Sequence, residues 1–239
     1  MRFEKKVAIV TGASRGIGFA LARALSKEGA TVICVARNVN QASASGNLNS
    51  AVRQIRNDGG MAEAIACDIS DPSMAQEVVE HTLSSFGHID ILVNNAGIYP
   101  YASVRDTAPE EWSRTLSVNL TGPFLLCHYA LPSMVLQQSG NILNMTSQLA
   151  TFSRPGRVTY SVTKAGLDRF TINLAEEVEK DGITVNALMP GLVATDMTNG
   201  VGDPPDDVVP AALWLLEKKS IRFTGQVVSR KEFGKSWGL

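Results

Sequence analysis

With 239 residues, 44% of them hydrophobic and 19% charged, the chain has the size and composition of one compact domain with a full core, which excludes a disordered segment and a coiled coil. Twenty-two Lys and Arg against 23 Asp and Glu leave a formal net charge of -1, so no basic surplus invites a phosphate backbone and nucleic acid is not an expected partner. The three cysteines, Cys34, Cys67 and Cys127, are too far apart for a zinc site or a disulfide framework and read as core thiols of a cytoplasmic protein without a metal.

In chain order, the first β-rich run is Val7–Thr11, an apolar stretch too short for a signal peptide, and no later run reaches the length of a membrane span. A helix is expected over residues 17–27, a strand over Thr31–Ala36, and an exposed Ser/Asn/Ala-rich loop over residues 38–50. After a strand at 62–67, Asp71 and Pro72 open a helix whose apolar face carries Met74, Val78, Val79, Leu83 and Phe86. Strands follow at 90–94 and 141–145, then a helix over Val158–Val178, a strand over Ile183–Met189, and a Gly/Pro/Asp-rich loop over 198–207, a candidate lid. A helix at about 206–217 and a strand at 226–228 close the chain. Near-continuous apolar strands alternating with helices predict an α/β fold: a Rossmann-type doubly wound parallel sheet of about seven strands, covered on both faces, forming a single domain over 1–239.

Chemistry enters at the end of the first strand, where TGASRGIG places Gly12, Gly16 and Gly18 in a turn that opens a helix. With Ser14, Arg15 and Ile17 between the glycines, the turn offers free N–H groups and a helix dipole to a pyrophosphate. The spacing departs from G-x-G-x-x-G and is a weak signal taken singly. At the end of the second strand, where NAD-binding folds carry an acid for the ribose, this chain has Ala36 and Arg37. Arg37 and Arg15 would clamp a 2'-phosphate, which favours NADP(H); the alternative is that both are solvated surface.

Tyr160 and Lys164 in YSVTK lie four apart on one helix face. An ammonium about 4 Å from the phenol would lower its pKa by up to about three units and make it an acid or base near neutrality. Taken singly, Y-x-x-x-K is commonplace, and the bland reading is a Tyr beside a surface Lys. Ser147, just beyond a strand, would meet the same place at the carboxyl edge of the sheet and polarise a carbonyl, or would merely cap a turn. The three histidines form no hydrolase triad, and G-x-S-x-G is absent.

These motifs together resemble the short-chain dehydrogenase/reductase family over nearly the whole chain. TGASRGIG matches its cofactor turn, NNAG at 94–97 its fourth-strand motif, Asn119 in SVNLTG its active-site asparagine, and PGLVAT at 190–195 its nicotinamide segment. Ser147 stands 13 residues before Tyr160, a usual family interval. The resemblance implies a catalytic tetrad of Asn119, Ser147, Tyr160 and Lys164, in which Tyr160 is the acid or base, Ser147 polarises the carbonyl, Lys164 also binds the nicotinamide ribose, and Asn119 kinks its helix and holds a water. Without it, Asn119 reads as a polar helix residue. The resemblance further implies cofactor contacts from Asp68 and Ile69 near the adenine, from Asn95, Ala96 and Gly97 along the cofactor, and from Pro190, Gly191, Val193 and Thr195 at the nicotinamide. Asp68 capping a turn and Pro190-Gly191 ending a strand are the structural alternatives.

Two departures stand out: the lid after PGLVAT is short, and Ser229, Arg230 and Lys231 replace the D-G-G of many tetrameric relatives. The usual tetramer and a 3-oxoacyl-thioester substrate are thereby less secure, although a homo-oligomer remains the expectation. The expected activity is NADPH-dependent reduction of a small-molecule ketone, aldehyde or 3-oxoacyl compound to the alcohol. The alternatives are an NAD-dependent secondary alcohol dehydrogenase and a non-catalytic cofactor-binding regulator or scaffold. Candidate substrate residues are Tyr99, Tyr101, Gln148, Phe152, Arg154 and Arg157, each beside a motif end, with loop residues as the alternative reading.

Overall fold

The computed structural model describes residues 1–37, 47–217 and 223–239. Seven strands, β1 (Val7–Thr11), β2 (Thr31–Ala36), β3 (Met61–Ala66), β4 (Ile91–Asn94), β5 (Gly140–Met145), β6 (Ile183–Met189) and β7 (Val227–Ser229), form one sheet in the order β3-β2-β1-β4-β5-β6-β7. Every pairing is parallel, as βαβ crossovers require. The seven strands lie within one residue, at either end, of the spans read from the sequence.

Alternate residues of each buried strand feed two cores. Ala8 and Val10 of β1 pack with Leu21 and Leu25 of α1 (Gly16–Lys27), Leu48 and Val52 of α2 (Leu48–Asn57), and Leu213 and Leu216 of α7 (Val209–Glu217). Ile9 packs on the other face with Val78 and Val79 of α3 (Pro72–Phe86), Leu126 of α5 (Gly122–Gln137) and Leu174 of α6 (Val158–Val178). This two-sided covering explains why the strands read as unbroken apolar runs. All three cysteines are buried free thiols in these cores, and burial pushes each up to about 12.

The expected loop over 38–50 is corrected at its end; residues 38–46 lie outside the described residues. Asn47 and Ser50 form a reciprocal capping box, with Ser50 N donating to Asn47 Oδ1 at 2.8 Å and Asn47 N to Ser50 Oγ at 3.0 Å. Asn and Ser are as much helix-start residues as loop residues, and composition cannot tell the two apart. The helix expected from 206 begins at Val209, because Pro204 and Pro205 hold a tight 3-10 turn over Pro205–Val208 first. Between β4 and β5 lie α4 (Pro109–Leu116) and α5, joined by a single π turn, Ser117–Thr121. Among the described residues no helix is long and apolar enough to cross a membrane.

Candidate active site

Strand order reverses between β1 and β4, so the connections leaving their carboxyl ends run in opposite directions and open a crevice there. A cleft of about 790 Å³ runs along that edge. At one end the chain leaves β1 through Gly12 and Gly16 with φ of +66° and +57°, left-handed values that disfavour any residue with a Cβ. A Cβ on Gly18 would stand 2.3 Å from Gly12 O, so α1 starts as close to the turn as backbone allows. Its first N–H groups therefore face the cleft, as an anionic ligand requires.

Thr11, which the sequence did not mark, locks the opposite wall to this turn. Its Oγ1 donates to Val93 O at 3.2 Å and accepts from Asn95 N at 2.9 Å and Ala96 N at 3.1 Å, while Asn95 Nδ2 donates to Thr11 O at 2.9 Å. Ser14, Ile17, Asp68, Ile69, Ala96 and Gly97 all line the cleft. Asp68 also accepts from Ser70 N and Ser70 Oγ, so its turn-capping reading is realised at the cleft wall. Arg15 and Arg37 both border the cleft, and Arg15 Nε pairs with Asp196 Oδ2 at 3.0 Å across its mouth. The turn, the helix start and the two arginines suit a phosphate-bearing dinucleotide in chemistry and in room.

The candidate tetrad assembles midway along the cleft. Ser147 follows β5, Tyr160 and Lys164 are buried one turn apart on α6, and Asn119 is fully buried in the π turn. Ser147 Oγ accepts from Leu149 N at 3.2 Å and interacts with the phenol of Tyr160. Asn119 Oδ1 accepts from Ile98 N at 2.8 Å, and its Nδ2 donates to Ile98 O at 2.9 Å and Thr163 Oγ1 at 3.2 Å.

The expected lowering of Tyr160 is corrected by this geometry. Lys164 Nζ is 5.6 Å from the Tyr160 ring centroid and donates to Met145 O at 2.7 Å, which turns its charge toward the backbone. Burial pushes Tyr160 up to about 12, while Ser147 and Arg157 pull the other way, so the phenol is protonated at neutral pH. Lys164 itself is lowered by burial to about 8, with Asp168 acting against that shift.

The Lys164 shift has a stability consequence. Between pH 8 and 10.5 the unfolded chain holds more of this proton than the folded one, so the folded state gains stability as pH rises through that window. Below it the full cost of burying the charge, about 3 kcal/mol, remains. Lys164→Met is therefore expected to raise the thermal midpoint at pH 7 and to flatten the gain between pH 8 and 10. Unfolding curves across that range check this, and a variant less stable than wild type at pH 7 would contradict it.

Substrate candidates separate into two groups. Tyr99, Gln148, Phe152 and Arg154 border the cleft. Arg157 and Tyr101 do not belong to its wall: the Arg157 guanidinium lies 3.6 Å from the Tyr99 ring centroid and 4.6 Å from that of Tyr101. Arg157 was a candidate for contact with substrate, and the geometry instead gives it to the loop after β4.

Pro190, Gly191, Val193 and Thr195 follow β6 and close the cleft from above. The segment beyond them folds back, with Ala194 N donating to Asp203 O at 2.8 Å and Asp203 N to Leu192 O at 2.9 Å. Arg230 pins this short lid: its Nε donates to Pro190 O at 2.8 Å, its Nη2 binds Asp203, and its Nη1 lies 3.7 Å from Asp207. Arg230 stands out in the sequence only as a departure after the last strand, whereas in the fold it ties the C-terminus to the cleft roof. Among the described residues no group of three or more His, Cys, Asp or Glu is placed to hold a metal ion.

Comparison with known proteins agrees with this geometry. The family model described as short chain dehydrogenase matches residues 6–206. A 3-oxoacyl-[acyl-carrier-protein] reductase of Synechocystis is 40% identical over 200 residues, covering 84% of this chain and 79% of that one. The enzyme of that name from Escherichia coli is 37% identical over 203 residues, covering 85% and 80%. Among solved structures, a putative short-chain dehydrogenase/reductase from Burkholderia xenovorans superposes with a TM-score of 0.88 at 29% identity, covering 95% of each chain. A metagenomic short-chain oxidoreductase in complex with NADP gives 0.85 at 31%, covering 96% and 97%. On its motifs, its sheet and the match across most of its length, the chain belongs to the short-chain dehydrogenase family of oxidoreductases.

Proposed function

We propose that this chain, working as one dinucleotide-binding and catalytic domain over 1–239, is an NADPH-dependent carbonyl reductase of ketones, aldehydes or 3-oxoacyl compounds. The observation that carries the reading is the phenol of Tyr160, buried beside Ser147 in the same cleft as the glycine turn. When bound, NADPH supplies the hydride. Ser147 donates a hydrogen bond to the substrate carbonyl and Tyr160, protonated at neutral pH, delivers the proton to its oxygen. Lys164, its Nζ on Met145 O and 5.6 Å from the Tyr160 ring centroid, keeps a cation in the same site, and Asn119 fixes the Ile98 backbone at the cleft.

Relatives named 3-oxoacyl-[acyl-carrier-protein] reductase and a structural neighbour holding NADP support the reading. Arg37 and Arg15, with no carboxylate at the end of β2, support NADP(H) over NAD(H). A cytoplasmic homo-oligomer belongs to the same proposal. Its supports are three unpaired buried thiols and the exposed Trp112 and Phe124 on neighbouring helices.

Parallel titrations with NADPH and NADH, followed by tryptophan quenching, test the cofactor. NADPH is expected to bind at least tenfold tighter, about 1.4 kcal/mol. Equal or NADH-favoured binding would point to an NAD-dependent alcohol dehydrogenase, and binding of neither would leave a scaffold.

A further inference from the structure

Arg157 immediately precedes α6, three residues before Tyr160, and its guanidinium is fixed by two backbone carbonyls and two aromatic rings. Its Nη1 donates to Pro100 O at 2.8 Å and to Tyr99 O at 3.4 Å, and its Cζ lies 3.6 Å from the Tyr99 ring centroid and 4.6 Å from that of Tyr101. Gly156 next to it has φ +76°, and a Cβ there would stand 2.6 Å from Tyr101 Cε2, so the second ring can close only over a glycine. Ala102 N donates to Gly156 O at 3.2 Å and completes the tie between the two loops. Arg157 Nε is buried and makes no hydrogen bond. From this platform the Tyr99 ring meets Tyr160 edge to face, with centroids 4.6 Å apart and planes at 77°.

We propose that Arg157 is a positioning residue for Tyr160: it seats Tyr99 as a rigid wall on the phenol and places a permanent positive charge behind that wall, which stabilises the negative charge Tyr160 acquires when it gives up its proton. The inference rests on Tyr160 being the acid and base of the reaction. Three groups bear on the phenol electrostatically: Tyr99 from the loop after β4, Arg157 from the turn before α6, and Ser147 from the end of β5 as a neutral hydroxyl. Lys164 lies on α6 with its Nζ 5.6 Å from the ring centroid, and Asp168 acts on Lys164. Of the two cations, Lys164 is committed to Met145 O, whereas Arg157 cannot lose its charge. A guanidinium one aromatic ring away therefore complements a lysine that burial lowers to about 8.

Arg157→Gln keeps amide donors for the two carbonyls and removes the charge; Arg157→Lys keeps the charge and loses the flat stack. In alcohol oxidation, which needs the phenolate, the rising limb of kcat against pH is expected to move up by about one unit in Arg157→Gln, tenfold in rate below the limb. It is expected to stay within a few tenths in Arg157→Lys. A limb unmoved in Arg157→Gln overturns the proposal, as does an equal shift in both variants, which would assign the effect to packing. If Arg157→Gln does not fold, Arg157→Lys decides by itself, because a shifted limb with charge retained is incompatible with the proposal. In protein without cofactor, the 13C shift of Tyr160 Cζ, assigned by its absence in Tyr160→Phe, is expected to begin its ionisation change at higher pH in Arg157→Gln. That readout stands apart from turnover. A wild-type protein that reduces no carbonyl and oxidises no alcohol overturns the reductase reading, while the Cζ titration still judges Arg157.

Discussion

Tyr160→Phe is expected to lower carbonyl turnover by about 10³-fold while leaving fold and cofactor affinity close to wild type. The substitution removes one oxygen from a side chain only 7% exposed, and the remaining ring keeps its edge-to-face contact with Tyr99. The loss comes from proton transfer, for which a positioned side chain typically contributes about 10² to 10⁴ in rate. The hydroxyl's partner is Ser147, which is half-buried on the cleft wall, so water can take up its freed O–H while its Oγ still accepts from Leu149 N, and stability changes by about 1 kcal/mol or less. Single-turnover measurement at saturating NADPH and carbonyl compound, alongside cofactor titration, checks it. Turnover within tenfold of wild type would remove Tyr160 from the proton-transfer role. Loss of turnover together with loss of NADPH affinity would assign the residue to cofactor binding instead.

The sequence carried the sheet well because buried parallel strands leave a signature that survives in one dimension. VAIV and ILV are apolar on both faces, and β1 and β4 lie where those runs lie. The placement of the candidate tetrad was legible in part: backbone rules put Ser147 at a strand end and Tyr160 and Lys164 on one helix face, while Asn119 rested on the family resemblance. The electrostatics were not. Spacing four on a helix puts two side chains side by side, but whether the ammonium faces the phenol depends on a competing acceptor, here Met145 O on another element. Burial raises Tyr160 and lowers Lys164 at the same time, and neither shift is written in Y-x-x-x-K.

Arg157 and Arg230 illustrate the same limit. Both are surface-type residues by composition, and both are tied down by carbonyls far away in sequence, Arg157 by Pro100 and Arg230 by Pro190. A guanidinium with five donors is suited to such long-range fastening, yet only the fold decides which carbonyls it meets. The Asn47 and Ser50 box differs in kind: its signal was present in the sequence, and a polar composition masked it.

Asn119→Ala is expected to cost about 3 to 5 kcal/mol of stability, the largest effect foreseen for any single side chain of the site. Asn119 is fully buried and satisfies both Ile98 N and Ile98 O, so truncation leaves two backbone groups without partners, at about 1 to 3 kcal/mol each. It also frees Thr163 Oγ1, which donates to Tyr160 O at 2.7 Å and so joins the asparagine to the helix that carries the phenol. The π turn from Ser117 to Thr121 is what brings the residue inward, since one extra residue per turn rotates it off the register of α4 and α5. At this chain length the loss corresponds to a fall of about 6 to 20 °C in thermal midpoint. Amide hydrogen exchange at Ile98 is expected to quicken beyond the global change, because the opened segment runs directly into Tyr99. A midpoint within about 2 °C of wild type would mean that relaxation or water replaces both bonds, and Asn119 would then act in the reaction without supporting the fold.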